Sequence, residues 1–558
     1  MIIATLRLHL SGLDYALVGF YFLVVLGIGL VARLTIKTDV DFFLSGRSLP
    51  AWITGLAFIS ANLGALEILG QSANGAEYGV ATVHYYWIGA VLAMVFLGIV
   101  MMPFYYGAKV RSVPEYLRLR FNEQTHFLNA ATFAVATVLI SGVNLYALAL
   151  IMHLMVGWSI PFAIVIAALI VLGYISLGGL TSAIYNEVLQ FFVIVASLLP
   201  LTIVALHAMG GIHGLAEKVR HMTKLGEPGL HAWKGLAIHH VTNPIGSDWV
   251  GVVFGLGFVL GFGYWTTNFA EVQRALSARN LSAARRTPLI GAYPKIFIPA
   301  LTIIPGLVAL VTIKGLGASK AIGLQYNTAI PHLISNYLPE GMVGVAVAGL
   351  LAAFMAGVAA NVTSFNTVVT YDLWQSYAVK DRDSSYYLTV GRVVTAVGVF
   401  ISVGTAFIAK GYPNIMNYIQ TLFSIFNAPL FATFIIAMLW KRSTPWAGFW
   451  GLLSGTLGAY AVNRLSAYHV IFHFGTELSG SFWQAIIAFL VDAVVTVAVS
   501  LLTAPKPEKE LEGLVWRLTR TDERPEEVEA GDKVWWRSPY LLGGFAIVLI
   551  AILNVIFI

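Results

Sequence analysis

Long apolar segments recur from one end of this chain to the other, and they limit the folds open to it more than any other feature. About 20 apolar residues are enough to cross the ~30 Å hydrocarbon layer of a membrane as a helix. Hydrophobic residues make up 58% of the chain and charged residues only 11%, which is more apolar side chain than a soluble core can bury. The short alternating segments of a membrane β-barrel are absent. The sequence therefore predicts an all-α integral membrane protein.

Hydropathy predicts about fourteen transmembrane helices. The first has no small-residue cleavage site and continues into Arg33 and Lys37, so we interpret it as a retained helix rather than a signal peptide. The predicted spans are 14–33, 49–77, 81–103, 126–156, 160–178, 183–209, 245–275, 286–313, 340–372, 390–410, 415–439, 445–465, 480–504 and 538–557.

The distribution of basic residues predicts the orientation in the membrane. Two thirds of the 33 Lys and Arg residues fall in alternate loops, which the positive-inside rule assigns to the cytoplasm. These loops are 33–48, 104–125, 274–286, 373–389, 440–444 and 505–537. Both termini then lie outside an inner (plasma) membrane. The net charge of +6 follows from this topology and requires no nucleic-acid partner.

Two long spans, five positions apart in the series, are interrupted by glycine and polar residues. Asn62 and Gly64 interrupt span 49–77, and four glycines from Gly255 to Gly263 interrupt span 245–275. Inverted-repeat transporters have such broken helices, whose unwound backbone contributes to a binding site at the membrane midplane. We therefore expect two five-helix repeats related by inversion.

This division predicts seven segments. They are a peripheral first helix (1–48), a first repeat (49–209), an external loop (210–244), a second repeat (245–439), peripheral helices (440–504), a cytoplasmic linker (505–537) and a last helix (538–558).

Three ionisable residues inside spans are candidates for function. Burying a charge in a span costs at least ~2.5–3.5 kcal/mol unless it faces a cavity or a partner. Glu67 lies deep in the interrupted span 49–77, Glu187 lies early in span 183–209, and Lys295 lies in span 286–313. Two structural alternatives remain, because Lys295 can extend to the membrane boundary and Glu187 can lie at an interface.

Six ordered motifs carry a family resemblance that extends over nearly the whole chain. They are DFFLSGRSLPAW (41–52), ANLGALEILGQSANGAEYG (61–79), GGLTSAIYNEVLQFF (178–192), GYWTTNFAEVQRALSARN (263–280), NTVVTYDLWQSY (366–377) and YIQTLFSIFNAPLFATF (418–434). In these motifs the chain resembles the sodium/solute symporter family, and within it the sodium/glucose cotransporter branch. The resemblance implies the LeuT-type five-plus-five inverted repeat.

The resemblance also implies a substrate site. The family's sugar-contacting positions fall on Asn62, Glu67, Tyr86, Gly261, Lys295 and Gln420. Its inner-gate tyrosine falls on Tyr264, beside Trp265, with the polar Asn268 one turn on.

Three of these positions depart from the family pattern. Glu67 replaces an amide or imidazole, Tyr86 replaces a carboxylate, and Gly261 replaces an asparagine. An unpaired buried hydroxyl costs ~1–3 kcal/mol, so a sugar requires many matched donors and acceptors. The set still suits a small polyhydroxylated solute, most simply a monosaccharide; carboxylates and amino acids, which the family also carries, remain alternatives.

The implied sodium site is degenerate. Its carbonyl positions fall on Ser60, Leu63 and Ala353, but its hydroxyl pair falls on Ala356 and Gly357. A dehydrated Na⁺ requires about five or six oxygen ligands, and three carbonyls do not supply them. Moving the site to Thr363 and Ser364 would restore a hydroxyl pair, but it shifts the ligands seven residues, or ~10 Å, along the helix. The sequence therefore predicts weak sodium binding or none.

An acid without a neighbouring cation site can carry a proton instead. The family's second-site carboxylate falls on Glu187, and with Glu67 it predicts proton coupling. Two alternatives stay open: sodium coupling, with water or the Ser60 hydroxyl as the missing ligands, and uncoupled facilitation. Substrate would move by alternating access past Tyr264.

Other functional classes fit the sequence less well. An enzyme would need a nucleophile and base or metal ligands at one depth, a channel a continuous polar pore, and a sensor a large output domain. We expect no cofactor and no resident metal. The predicted partners are a small-molecule substrate, a coupling cation (H⁺ or Na⁺) and the lipid bilayer.

Overall fold

The computed structural model describes residues 10–35, 38–107, 110–318, 322–468, 471, 473–518 and 534–557. Parts of the predicted segments 1–48, 505–537 and 538–558, namely residues 1–9, 36–37, 519–533 and 558, lie outside this description. The described chain is almost entirely helical. One short antiparallel pair, β1 (Leu236–Ala237) and β2 (His240–Val241), lies in the loop predicted to be external.

The α-helices are numbered in chain order. The first half of the chain contains α1 Gly12–Thr35, α2 Asp39–Leu44, α3 Ala51–Asn62, α4 Gln71–Tyr78, α5 His84–Trp87, α6 Val91–Phe96, α7 Met102–Gly107, α8 Val113–Arg120, α9 Glu123–Val156, α10 Ile160–Ala208 and α11 Gly211–Met222. The second half contains α12 Gly263–Thr267, α13 Phe269–Leu276, α14 Leu281–Thr312, α15 Ala329–Tyr337, α16 Met342–Thr367, α17 Ser384–Ala409, α18 Ile415–Leu439, α19 Pro445–Ala467, α20 Glu477–Leu502 and α21 Pro539–Ile556.

Four π-helical segments continue these helices. They are Leu66–Gly70, Leu97–Met101, Gly251–Phe262 and Val368–Ala378. Such wider turns are rare and occur most often at functional sites. Short 3₁₀ turns occur at Ser45–Arg47, Val80–Val83, Pro228–Leu230, Ile322–Leu324, Tyr326–Thr328, Glu508–Leu511, Trp516–Leu518 and Trp535–Arg537.

The described residues contain ten helices long and apolar enough to cross a membrane, or twelve if each of two bent pairs is one span. The two other predicted spans are also helical. Span 160–178 forms the first part of α10, where only Ile160–Gly173 is apolar enough and Gly179 breaks the helix with φ 50°. Span 445–465 corresponds to α19, which falls outside the ten.

The two bends confirm two broken spans. The first lies between α3 and the π-helical segment Leu66–Gly70, with an angle of 55°. The second has an angle of 47° and lies at Asn268, not at the glycines from Gly255 to Gly263. Asn268 is extended, and its side chain accepts a hydrogen bond from the Ala270 amide, so it ends α12 and caps α13.

Burial separates central helices from peripheral ones. The apolar windows of α9 and α16 are each 89% buried, whereas those of α1, α20 and α21 are 22%, 28% and 22% buried. The helices outside the predicted repeats therefore pack on the periphery. One bent pair lies at the start of segment 49–209 and the other at the start of segment 245–439. The assignment of these segments as repeats stays a prediction.

Candidate functional site

A central cavity lies where the first broken span meets α12, α14 and α18. Its volume is about 50 Å³. Six of the residues predicted to bind substrate line it, and so does Gly261; the six are Asn62, Glu67, Tyr264, Trp265, Lys295 and Gln420. The other lining residues are Leu66, Gln71, Tyr85, Gly89, Ala90, Leu256, Leu260, Met416 and Phe423.

A buried ion pair forms the polar centre of the central cavity. Lys295 Nζ lies 2.7 Å from Glu67 Oε1 and also donates to Asn62 Oδ1. Lys295 is 3% exposed and Glu67 is 4% exposed, so the ammonium does not extend to the membrane boundary. Because the break after Asn62 redirects the chain, Glu67 points at α14 rather than at lipid.

Two aromatic rings flank the Lys295 ammonium. Its Nζ lies 5.0 Å from the ring centre of Tyr86 and 5.2 Å from that of Trp265. Both distances are within the range of cation–π attraction. Tyr86 is fully buried and its hydroxyl is hydrogen-bonded to Thr302, so it stands behind Lys295 and does not line the central cavity. The preceding residue, Tyr85, lines it instead.

Two buried polar atoms, on residues that line the central cavity, have no hydrogen-bond partner in the described part of the chain. They are Gln420 Oε1 and Tyr85 Oη, both buried. Buried polar atoms are nearly always hydrogen-bonded, so an orphaned pair beside a cavity indicates ligand contacts.

A Cβ on Gly261 would lie 2.3 Å from the Gly89 carbonyl oxygen, and this close approach of two backbones explains why glycine replaces the larger family residue.

Tyr264 separates the central cavity from a second one, here called the lower cavity. Asn62, Leu66, Tyr264 and Phe423 line both. Asn62 Nδ2 donates to Tyr264 Oη at 2.9 Å, and Tyr264 Oη donates to Glu271 Oε1 at 2.6 Å. Because Tyr264 lies between the two cavities, its position suits a gate. The lower cavity is also lined by Ala61, Gly64, Ile140, Asn144, Asn268, Ala270, Glu271, Gly357, Ala360 and Asn361.

An amide side chain lies beside Gly357, at the edge of the predicted sodium site. Asn144 on α9 accepts a hydrogen bond from the Ala65 amide at 2.9 Å and so satisfies the backbone where the first broken span unwinds. A Cβ on Gly357 would lie 2.4 Å from Asn144 Oδ1, and one on Gly64 would lie 2.6 Å from it. A serine at position 357 would therefore require Asn144 to move. Asn144 thus connects the unwound segment to the α16 face that lacks hydroxyls.

The nearby hydroxyls of α16 donate within their own helix. Thr363 donates to the carbonyl of Ala359, and Ser364 donates to that of Ala360, both within α16. The Ser60 hydroxyl is buried without a partner, while the Ser60 carbonyl already accepts from the Leu63 amide. Ala353 and Ala356 are interior residues of α16 and are fully buried.

Glu187 is not the isolated acid that the proton-coupling prediction assumed. Arg274 donates to both of its carboxylate oxygens, at 2.5 Å and 3.2 Å, and both side chains are fully buried. The sequence places Arg274 at the start of a cytoplasmic loop, but it belongs to α13 and packs inside the protein. Glu67 is likewise paired, through Lys295.

Three residues with a place in this site were missed by sequence reasoning: Asn144, Glu271 and Arg274. Glu271 and Arg274 lie within the motif GYWTTNFAEVQRALSARN, three residues apart, and an acid and a base at that spacing share one helix face. The spacing of Glu271 and Arg274 was therefore a signal that the sequence contained. Asn144 lies in an apolar run and gives no local signal of its contact with Ala65.

Comparison with characterised proteins finds transporters. The chain is 29% identical to sodium/glucose cotransporter 4 of Danio rerio, over 96% of this chain and 84% of that protein. It is 28% identical to sodium/glucose cotransporter 1 of Oryctolagus cuniculus, over 94% and 84%. It is also 28% identical to sodium/mannose cotransporter SLC5A10 of Bos taurus, over 94% and 92%.

Solved structures confirm the LeuT-type fold. A Na⁺-coupled sialic acid symporter in its substrate-bound outward-open state has a TM-score of 0.72 at 19% identity, over 89% of this chain and 99% of that one. The nucleobase-cation-symport-1 family transporter Mhp1, in a closed conformation, has a TM-score of 0.51 at 15% identity, over 86% and 98%. Both likenesses concern the fold alone.

A comparison with family models identifies the family of this chain. The model described as the sodium:solute symporter family matches residues 42–455, which is most of the chain and includes both broken spans. The relatives are transporters and not enzymes, as the sequence predicts. The protein is therefore a multi-pass integral membrane secondary transporter, and it belongs to the sodium:solute symporter family.

Proposed function

We propose that the protein imports a monosaccharide, or a closely similar small polyhydroxylated solute, by alternating access coupled to protons. The observation that carries the substrate class is the central cavity. It combines a carboxylate acceptor (Glu67), an ammonium donor (Lys295), two amides (Asn62 and Gln420) and the Trp265 ring. Sugar hydroxyls both donate and accept, so this mixed set can pair with several of them at once.

The orphaned acceptors support the same proposal. Gln420 Oε1 and Tyr85 Oη, on residues that line the central cavity, have no hydrogen-bond partner among the described residues, and each can bond one solute hydroxyl. The relatives whose names mention glucose and mannose fit this chemistry. Carboxylates and amino acids fit less well, because the charges of Glu67 and Lys295 already neutralise each other.

Proton coupling is proposed because the two hydroxyl positions of the implied sodium site on α16 carry Ala356 and Gly357. Asn144 occupies the space beside Gly357, where the family's hydroxyl would lie. Sodium coupling is the second candidate, favoured by the relatives that are named as sodium cotransporters. Uncoupled facilitation is the third.

Uptake into proteoliposomes tests these candidates. Labelled glucose, mannose, galactose and inositol would be compared under a pH gradient and, separately, under a sodium gradient at symmetric pH. For one proton per solute, each pH unit supplies ~1.4 kcal/mol and supports at most about tenfold accumulation. Accumulation driven by sodium alone would overturn proton coupling, and equilibration without accumulation would indicate a facilitator.

We also propose an inner (plasma) membrane location with both termini outside. The basic loops then face the cytoplasm. The chain contains no cysteine, so single-cysteine variants can report accessibility without a background. S385C in the first turn of α17, within the predicted cytoplasmic segment 373–389, should be protected from an impermeant maleimide added outside whole cells. H239C in the external loop should react. The reverse pattern would overturn the orientation.

A further inference from the structure

Five charged side chains form a buried cluster around the two cavities, and their charges do not balance. Glu67 pairs with Lys295, and Glu187 pairs with Arg274. The fifth member is Glu271, which is 2% exposed and has no basic partner within 4 Å in the described part of the chain. With all five ionised, the cluster carries one uncompensated negative charge. A charge buried in this way needs a neutralising partner.

The unsatisfied atom of Glu271 can be identified. Its Oε1 accepts the Tyr264 hydroxyl, whereas its Oε2 is buried without any hydrogen-bond partner. Glu271 lines the lower cavity, on the side of α13 that leads to the loop predicted to be cytoplasmic. On other elements it faces two uncharged amides, Asn144 on α9 and Asn361 on α16. The charges of Lys295 on α14, Glu187 on α10 and Arg274 on α13 also act on it, but each base is paired with another carboxylate.

Resting on the proton coupling proposed above, we propose that Glu271 is the residue that takes up the transported proton, at Oε2, in place of Glu187 and Glu67. The proton enters from the outer aqueous phase and forms the O–H bond of a neutral carboxylic acid. The same O–H bond breaks when the proton leaves for the cytoplasm through the lower cavity. One positive charge moves per cycle.

The hydrogen bond with Tyr264 connects this proton to the gate. A hydrogen bond to an ionised carboxylate is roughly twice as strong as one between neutral groups. Ionised Glu271 therefore holds Tyr264 across the passage between the two cavities, and protonation weakens that hold. Lys295 and Asn62 continue the same network into the central cavity, so a bound solute and the proton act on one hydrogen-bonded chain.

Infrared difference spectroscopy tests the proposal without any solute. The full-length protein in lipid nanodiscs would be compared at low and high pH, in choline chloride, by the C=O stretch of protonated carboxyl groups. Wild type should lose one band more than E271Q as pH rises, because buried Asp492, which bonds only Thr433 and Thr496 among the described residues, gives a band in both proteins. E271Q should lack the additional band, E271D should keep it at a shifted frequency, and E123Q, at an exposed carboxylate, should match wild type.

Each outcome decides the proposal. Identical difference spectra for wild type and E271Q would overturn it. A wild-type band that vanishes when sodium replaces choline at constant pH would also overturn it, because the site would then bind an alkali cation. If E271Q does not give a monodisperse protein, E271D decides alone. A shifted band in E271D supports the proposal, and an unshifted band overturns it. Failure of sugar uptake would leave this result untouched, so the two proposals fail separately.

Discussion

A serine at position 357 tests whether Asn144 fills the space of the family's cation site. The Cβ of such a serine would lie 2.4 Å from Asn144 Oδ1 and 3.0 Å from its Nδ2, and both atoms lie well inside contact distance. Either the side chains overlap, which typically costs ~1–3 kcal/mol, or Asn144 moves away. Movement leaves the buried Ala65 amide unpaired, which costs ~1–3 kcal/mol as well. We therefore expect G357S to lower the free energy of unfolding by ~1–3 kcal/mol.

The assay is reversible unfolding in mixed detergent micelles with SDS, followed by circular dichroism or by the fluorescence of the 14 tryptophans. G404S is the matched control, because a Cβ on that α17 glycine would have nothing within 4 Å. N144A alone should cost ~1–3 kcal/mol through the Ala65 amide. The double variant N144A/G357S should cost less than the sum of the two, because removing the amide makes room for the serine.

Two results would refute this reasoning. One is a G357S protein as stable as G404S, since the space beside Gly357 would then be open. The other is strict additivity in the cycle, since the two residues would then not compete for one volume. Either result would leave a serine hydroxyl at position 357 compatible with Asn144, and the physical argument against a sodium site there would be lost.

Four further predictions follow from the same contacts. E67Q should lower stability by ~3–5 kcal/mol, because it leaves Lys295 buried without a counter-charge, and E67Q/K295Q should recover much of this in the same unfolding assay. E67Q should also change solute affinity or uptake rate, and unchanged values of both would exclude Glu67 from binding. Y264F removes the hydroxyl that is hydrogen-bonded to Asn62 and to the Glu271 carboxylate. The closed gate should lose ~1.5–3 kcal/mol of stability. Passive solute efflux from proteoliposomes should therefore rise about 10- to 100-fold. Wild type should melt at the same temperature in sodium and choline chloride, and a sodium-specific rise would show a cation site that the structure does not predict.

The sequence predicted the local features of the fold and missed those set by distant contacts. The break after Asn62 was visible because glycine and polar residues interrupt an apolar span there. In span 245–275 the predicted position of the break was wrong. Gly261 allows a close approach to Gly89, and the bend lies at Asn268, whose side chain caps α13. A glycine cluster in a membrane helix signals either unwinding or close packing, and the chain segment alone does not distinguish them.

The same distinction explains the outcome for the site. Glu67 and Lys295 stood out because single charges in apolar spans are costly, although they are 228 residues apart. Their pairing could not be predicted without the fold. Arg274 looked like an ordinary loop cation, and only its contact with Glu187, 87 residues away, places it in the core. That contact also removes Glu187 from the role of a free acid.

A bound alkali cation between the first broken span and α16 would do two physical jobs. Its ligands would join the unwound segment to the facing helix, and its charge would add +1 to the buried core. In this chain an amide does the first job, since Asn144 holds the Ala65 backbone against Gly357. An amide is neutral and cannot do the second. The core is left one positive charge short, and the deficit falls on Glu271, the one carboxylate of the cluster without a basic partner. Under the proposed proton coupling, the absence of hydroxyls at positions 356 and 357 and the acid at 271 would be two parts of one arrangement.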